Sequence, residues 1–96
     1  MPDILSKYVD RLGPKAEGSI KGTAKLVIKG HGSVMLDENG ASVGDSDADV
    51  TLQADDEVFQ AIFAREQNPV SAVLTGKLEV DGSQMRALKI SEFLLD

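Results

Sequence analysis

Asn68-Pro69-Val70-Ser71-Ala72-Val73-Leu74-Thr75-Gly76-Lys77-Leu78-Glu79-Val80-Asp81-Gly82 is the stretch whose reading decides the fold. Pro69 has its φ already set and needs no hydrogen-bond partner for its nitrogen, so it suits the first position of a helix. Gly76 suits the residue just past the end of that helix. Leu78 and Val80 then alternate with Lys77, Glu79 and Asp81, the period of a half-buried strand that Gly82 ends. The stretch predicts a short apolar helix followed at once by a strand over 77–81, and it contributes apolar surface rather than reactive groups.

On its C-terminal side, Ser83 can cap a last helix over 83–95 that carries Met85, Ala87, Leu88, Ile90, Phe93, Leu94 and Leu95. The polar residues Arg86, Lys89, Ser91 and Glu92 do not gather on one side of it. Such a helix is buried on two faces or meets apolar material outside its own chain. On the N-terminal side, Asp55, Asp56 and Glu57 place a cap and negative charge at a helix start. Val58, Phe59, Ile62 and Phe63 make the apolar stripe of that helix. The region 55–75 therefore reads as two helices, parted at Arg65-Glu66-Gln67-Asn68.

Farther upstream the period is two. Over 20–29, Ile20, Ala24, Leu26 and Ile28 face one side, while Lys21, Thr23, Lys25 and Lys29 face the other, joined only by Val27. That predicts a strand with one wet, positively charged face. Gly30-His31-Gly32 turns the chain into Val34-Met35-Leu36, so the pair reads as a hairpin. Glu38-Asn39-Gly40 is a second turn, with Asn-Gly offering positive φ cheaply, and Ala41-Ser42-Val43 is a weak edge strand. Over 48–53, Ala48, Val50 and Leu52 point inward again. At the front, Ile4, Leu5, Tyr8, Val9 and Leu12 share one helix face over 3–12, and Gly13-Pro14 is expected to stop that helix. Its polar face mixes signs, which favours covering a core over docking on a membrane or partner.

The order is helix, strand meander over 19–53, two helices, one crossover strand, one helix. Because two helices precede the strand at 77–81, it is expected to join by a crossover, parallel to a meander strand. The wet lysine face leaves the helices together on the other side, an α+β two-layer domain spanning 1–96.

Composition narrows the function. The 96 residues suit one domain, able to bury about two-thirds of its unfolded surface. Aromatics are limited to Tyr8, Phe59, Phe63 and Phe93, so aliphatic side chains must fill the core. A net charge of −6 repels phosphate backbones and anionic bilayers at long range, arguing against nucleic acid. Without cysteine there are no disulfides and no thiolate chemistry, which fits a reducing compartment. No apolar run approaches the roughly 18 residues of a spanning helix. Met1-Pro2-Asp3 is not a basic signal start, and Leu94-Leu95-Asp96 is not a peroxisomal address, so a cytoplasmic location is expected.

Groups able to do chemistry are few. His31 is the single histidine and sits in a turn, so neither a multi-histidine metal site nor a serine triad can be assembled. Gly30-His31-Gly32 lacks the third glycine and the helix of a dinucleotide loop. Asp45-Ser46-Asp47-Ala48-Asp49 begins like a calcium loop, but Val50 stands where its glycine belongs and Asp56 where its bidentate glutamate belongs. Asp55 and Asp56 point apart at a helix start, and Lys77 lies on a wet strand face. Neither a catalytic constellation nor a cofactor is expected. What remains is apolar: Phe59, Ile62, Phe63, Val73, Leu74, Leu78, Val80 and the terminal helix are either plain core or the walls of a cavity between sheet and helices.

One pattern goes further. Asn68-Pro69-x-x-Ala72-x-x-x-Gly76-Lys77-Leu78-x-Val80-x-Gly82, preceded by Ala48-Asp49-Val50-Thr51-Leu52 and followed by Ala87-x-Lys89-Ile90, resembles the sterol carrier protein type 2 (nonspecific lipid-transfer) family over about residues 20–95. Val73 stands where that family has Phe, and Ser83-Gln84-Met85 replaces its Asp-Met. The resemblance implies a five-stranded, mostly antiparallel sheet with helices on one face. It also implies a non-catalytic tunnel for a fatty acid, acyl-CoA, sterol or phospholipid, with transient membrane contact and a homodimer as further expectations. The lining implied is Phe59, Ile62, Phe63, Val73, Leu74, Leu78, Val80, Met85, Leu88 and Phe93. The alternative is a ligand-free interaction or accessory module on the same fold, using the terminal helix for a protein partner.

Overall fold

The computed structural model describes residues 4–18, 22–83, 85–87 and 89–90. Its elements are α1 (Ile4–Ala16), β1 (Ala24–Ile28), β2 (Gly32–Asp37), β3 (Gly40–Val43), β4 (Val50–Ala54), α2 (Asp56–Phe63), α3 (Pro69–Leu74) and β5 (Glu79–Gly82). The strands form one sheet in the order β3-β2-β1-β4-β5, antiparallel except for the parallel pair β1 and β4. The fold is α+β.

Alternation sets the two faces of the sheet. Ala24, Leu26 and Ile28 of β1, Val34 and Leu36 of β2, and Val50, Leu52 and Ala54 of β4 are all buried beneath the helices. Register keeps them on one face, with Leu26 opposite both Val34 and Leu52. Leu5, Tyr8, Leu12 and Ala16 of α1 join this layer, as do Phe59, Ile62 and Phe63 of α2.

Helix α1 does not stop at Gly13-Pro14; it continues to Ala16 with Pro14 inside it. Proline removes one internal hydrogen bond and normally breaks a helix. Here tertiary packing outweighs that loss. Ala16 has no exposed surface, Glu17 N–H donates to the Gly13 carbonyl at 3.1 Å, and Gly18 N–H donates to the Glu38 carbonyl at 3.0 Å. The strand expected over 20–29 is ordered as β1 from Ala24, and Ile20 lies outside the described residues. At the β2–β3 turn the positive φ belongs to Gly40 rather than Asn39, whose N–H instead bonds the Asp37 carboxylate at 2.9 Å.

The meander ends at β3. Residues 44–49 then carry the chain back across β2 and β1, so that β4 lies beside β1 and parallel to it. The path is marked by Lys25 Nζ on Asp45 at 3.0 Å and by Asp49 N–H on the Thr23 carbonyl at 3.1 Å. The lysine face is therefore not simply solvated: the connection crosses it, and the Lys25 side chain is only 17% exposed.

The final strand also departs from expectation. β5 begins at Glu79 rather than residue 77, and it pairs antiparallel with β4, not parallel with a meander strand. Two consecutive helices explain this. α2 and α3 run out and back, return the chain to the end where β4 finished, and leave antiparallel pairing as the direct route. Beyond β5, residues 85–87 and 89–90 are helical, with Ala87 and Ile90 buried. The rest of the helix expected over 83–95, including Leu88 and Phe93, lies outside the described residues.

Candidate functional site

The segment that decided the fold is built by its own caps. Asn68 Oδ1 accepts from the N–H groups of Val70 at 2.8 Å and Ser71 at 3.3 Å, which satisfies the first turn of α3 ahead of Pro69. At the other end Gly76, with φ +79°, donates to the Val73 carbonyl, and Lys77 N–H reaches the Ala72 carbonyl at 2.9 Å. These are the two bonds of a Schellman closure. Helix α2 closes the same way through Arg65 N–H to Ile62 and Glu66 N–H to Ala61, but Arg65 carries the positive φ of 63° itself.

Between helices and sheet lies one apolar layer. Phe59 and Ile62 have no exposed surface, Leu78 and Phe63 are buried, and Val80 packs half-buried against them. Leu26 and Leu52 form part of its floor. Helix α1 completes it. The Tyr8 ring meets Phe59 edge-on at 5.9 Å and Phe63 at 5.6 Å, and the Arg11 guanidinium covers Phe63 at 4.5 Å. The Tyr8 hydroxyl donates to Asp56 Oδ1 at 2.6 Å, and Gln60 Nε2 donates to the same oxygen at 3.2 Å. Burial first, and the Asp56 bond second, push the Tyr8 phenol far above its ordinary pKa.

The expected lining thus divides. Phe59, Ile62, Phe63, Leu78 and Val80 stand together in the layer, whereas Val73 (38% exposed), Leu74 (82%) and Met85 (75%) point outward. The structure places those three at the surface rather than in the layer. Pro69 and Ala72 take the inward side of α3, which leaves the larger aliphatics in solvent. Sequence reasoning missed Tyr8 and Asp56 as partners across the layer. A lone tyrosine on an apolar helix face was the available signal, since a buried hydroxyl needs an acceptor.

The polar groups do structural work. Asp49 bonds Thr23 N–H through Oδ2 at 3.1 Å, accepts Arg86 Nη1 at 3.1 Å, and donates its own N–H to Thr23 Oγ1. This joins the helical segment after β5 to the start of β1. Lys29 and Glu79 approach at 4.0 Å across the sheet. Among the described residues no three His, Cys, Asp or Glu side chains come together as metal ligands, and no helix is long and apolar enough to cross a membrane.

The pattern of the SCP-2 sterol transfer family matches residues 8–95. The chain belongs to that family. The sterol carrier protein-2 of Aedes aegypti, in complex with the C16 fatty acid palmitate, superposes with a TM-score of 0.77 at 18% identity, over 98% of this chain and 96% of that one. The apo sterol carrier protein 2 of Yarrowia lipolytica is 32% identical over 75% of this chain and 63% of its own, with a TM-score of 0.58. A stereoselective inverting sec-alkylsulfatase from a Pseudomonas species contains the same fold, with a TM-score of 0.68 at 23% identity, over all of this chain but 16% of that enzyme. No curated protein matches the sequence. The SCP-2 fold is a lipid-binding and transfer scaffold, and in the sulfatase it forms one part of a larger chain.

Proposed function

We propose that this SCP-2 domain holds an apolar ligand, a fatty acyl chain or a sterol-like molecule, between its helical layer and the buried sheet face, and performs no chemistry on it. The observation that carries this reading is the layer itself: Phe59, Ile62, Phe63 and Leu78 meet Leu26 and Leu52 as one hydrocarbon surface. The palmitate complex of the mosquito relative supports a ligand of that class. Binding energy would come from area removed from water, about 25 cal/mol per Å², less the cost of ordering the ligand. Since Phe59 and Ile62 have no exposed surface, entry requires the helices to part.

The test is uptake of a fluorescent fatty acyl probe by delipidated protein, with fatty acid, acyl-CoA, sterol and phospholipid as competitors. Saturable binding at one site per chain is expected, and the best competitor names the ligand class. Ile62→Trp should fill the layer and weaken uptake while far-ultraviolet circular dichroism stays native. Folded protein that takes up none of the probe would sink the proposal.

The exposed aliphatic side chains of α3 favour a second reading, a ligand-free interaction module. That reading requires no uptake together with a mass that rises with protein concentration.

A further inference from the structure

The β2–β3 turn joins its strands through two residues, Glu38 and Asn39, and Gly40 follows at φ +130°. Glu38 and Asn39 both keep negative φ, so the loop lacks the primed geometry whose twist suits a hairpin, and it splays the strands it joins. Asn39 is exposed. Its N–H donates to the Asp37 carboxylate at 2.9 Å, and no partner among the described residues holds its carboxamide.

An electrophile therefore stands beside a nucleophile. The Asn39 side-chain carbonyl carbon belongs to the residue just before the Gly40 nitrogen, and glycine has no Cβ to shield that nitrogen or restrict the rotation that brings the two together. The chain has one other asparagine, Asn68. Pro69 follows it with a nitrogen that carries no proton, and two N–H groups hold the Asn68 Oδ1 in the cap of α3. Asparagine lability is thus concentrated in one turn.

We propose that Asn39 is a site of spontaneous covalent modification whose product loosens the seat of α1. The Gly40 nitrogen attacks the Asn39 side-chain carbonyl carbon. A C–N bond forms, the carboxamide C–N bond breaks, and ammonia leaves carrying the Gly40 proton. The product is a five-membered succinimide. Water adds to one of its two carbonyls and opens the ring. Opening on one side restores the original backbone and leaves aspartate; opening on the other runs the backbone through the side-chain carbon, as isoaspartate. No electrons change hands.

Both products place a new carboxylate beside Asp37 and Glu38, and isoaspartate also adds a backbone atom to a two-residue loop. The strain falls on α1. Gly18 N–H, just beyond that helix, donates to the Glu38 carbonyl at 3.0 Å, and a Cβ on Gly40 would stand 3.7 Å from the Gly13 carbonyl oxygen.

The experiment is incubation of the full chain at neutral and at mildly alkaline pH, with a urea-denatured sample alongside, followed by tryptic mass analysis and labelling with an isoaspartyl methyltransferase. Cleavage after Lys29 and Arg65 gives a fragment, 30–65, in which Asn39 is the sole asparagine. In folded wild type that fragment should gain the mass of an NH2-to-OH exchange at a rate within about tenfold of the denatured chain, because so small a turn opens readily. Alkali should speed the gain, since the attacking nitrogen must lose its proton. Asn39→Gln, which would need a six-membered ring, should stay unchanged. Isomerisation at Asp81-Gly82 changes no mass and cannot be mistaken for this reaction. Amide exchange at Gly18 should rise in the aged protein, and rise less in Asn39→Asp, which adds the charge without the extra backbone atom. Conversion confined to the denatured chain would show that the turn protects Asn39 and would overturn the proposal. Equal loss of ammonia from Asn68, or a modified protein whose Gly18 exchanges as before, would overturn it too.

Discussion

The Tyr8 hydroxyl in α1 and the Asp56 carboxylate in α2 meet at 2.6 Å, inside the seam where both helices cover the sheet. The phenol is held in its protonated form by burial and by that bond. Its pKa is raised on folding, so its contribution to stability is complete below pH 10.0, the ordinary phenol value, and is lost as pH climbs above it. The chain has one tyrosine and no tryptophan, so tyrosinate absorbance reports Tyr8 alone. That absorbance should stay flat above pH 10 until circular dichroism shows unfolding, with stability falling by up to about 1.4 kcal/mol per pH unit. Tyr8→Phe should cost about 1–3 kcal/mol at neutral pH and abolish this alkaline slope. A tyrosine titrating normally in folded protein would contradict the assignment.

Arg65 holds φ at 63° in the closure of α2, at the position glycine fills in α3. A side chain there crowds its own backbone, at about 1 kcal/mol. Arg65→Gly should therefore raise the urea midpoint without changing the denaturant slope, gaining roughly 0.5–1 kcal/mol. An unchanged or lower midpoint would mean the arginine side chain contributes more than its backbone costs.

Gly82 ends β5 at φ +108°, where a Cβ would stand 2.6 Å from the Asp49 carbonyl oxygen and 3.2 Å from Val50 Cα. Both neighbours are backbone and cannot swing aside. Gly82→Ala should destabilise the domain by about 2–4 kcal/mol, a large fraction of the margin of a chain this size. Thermal melting checks this: a native Tm in the variant would mean the β4–β5 edge can shift.

What was legible in the sequence was whatever local chemistry decides. Pro69 and Gly76 bracket α3 because proline has its φ fixed and glycine takes the left-handed closure without strain, and β1 and β4 alternate because each turns one face to the helices. Helix α1 was cut short at Pro14 because the packing of Ala16 and the Gly18 bond that rescue its last turn come from distant chain. The partner of β5 depended on how two helices fold back, which no residue within 77–82 encodes. In the candidate site, periodicity grouped Val73 and Leu74 with each other but could not say which side of α3 faces inward. The small inward pair, Pro69 and Ala72, carried that information.

The crossing at 44–49 divides how this chain can assemble. β1, β2 and β3 close through two tight turns and can zip early, within microseconds for each hairpin. β4 must first travel back over them before Ala24 meets Val50, a closure across more than a quarter of the chain. Everything after it, α2, α3 and β5, hangs on that one parallel ladder. A chain in which that meander closes first would leave β1 and β3 as its two open edges, and β1 is the strand that ends up at the centre of the sheet. Until β4 arrived, β1 would offer a neighbour the backbone groups that β4 later takes.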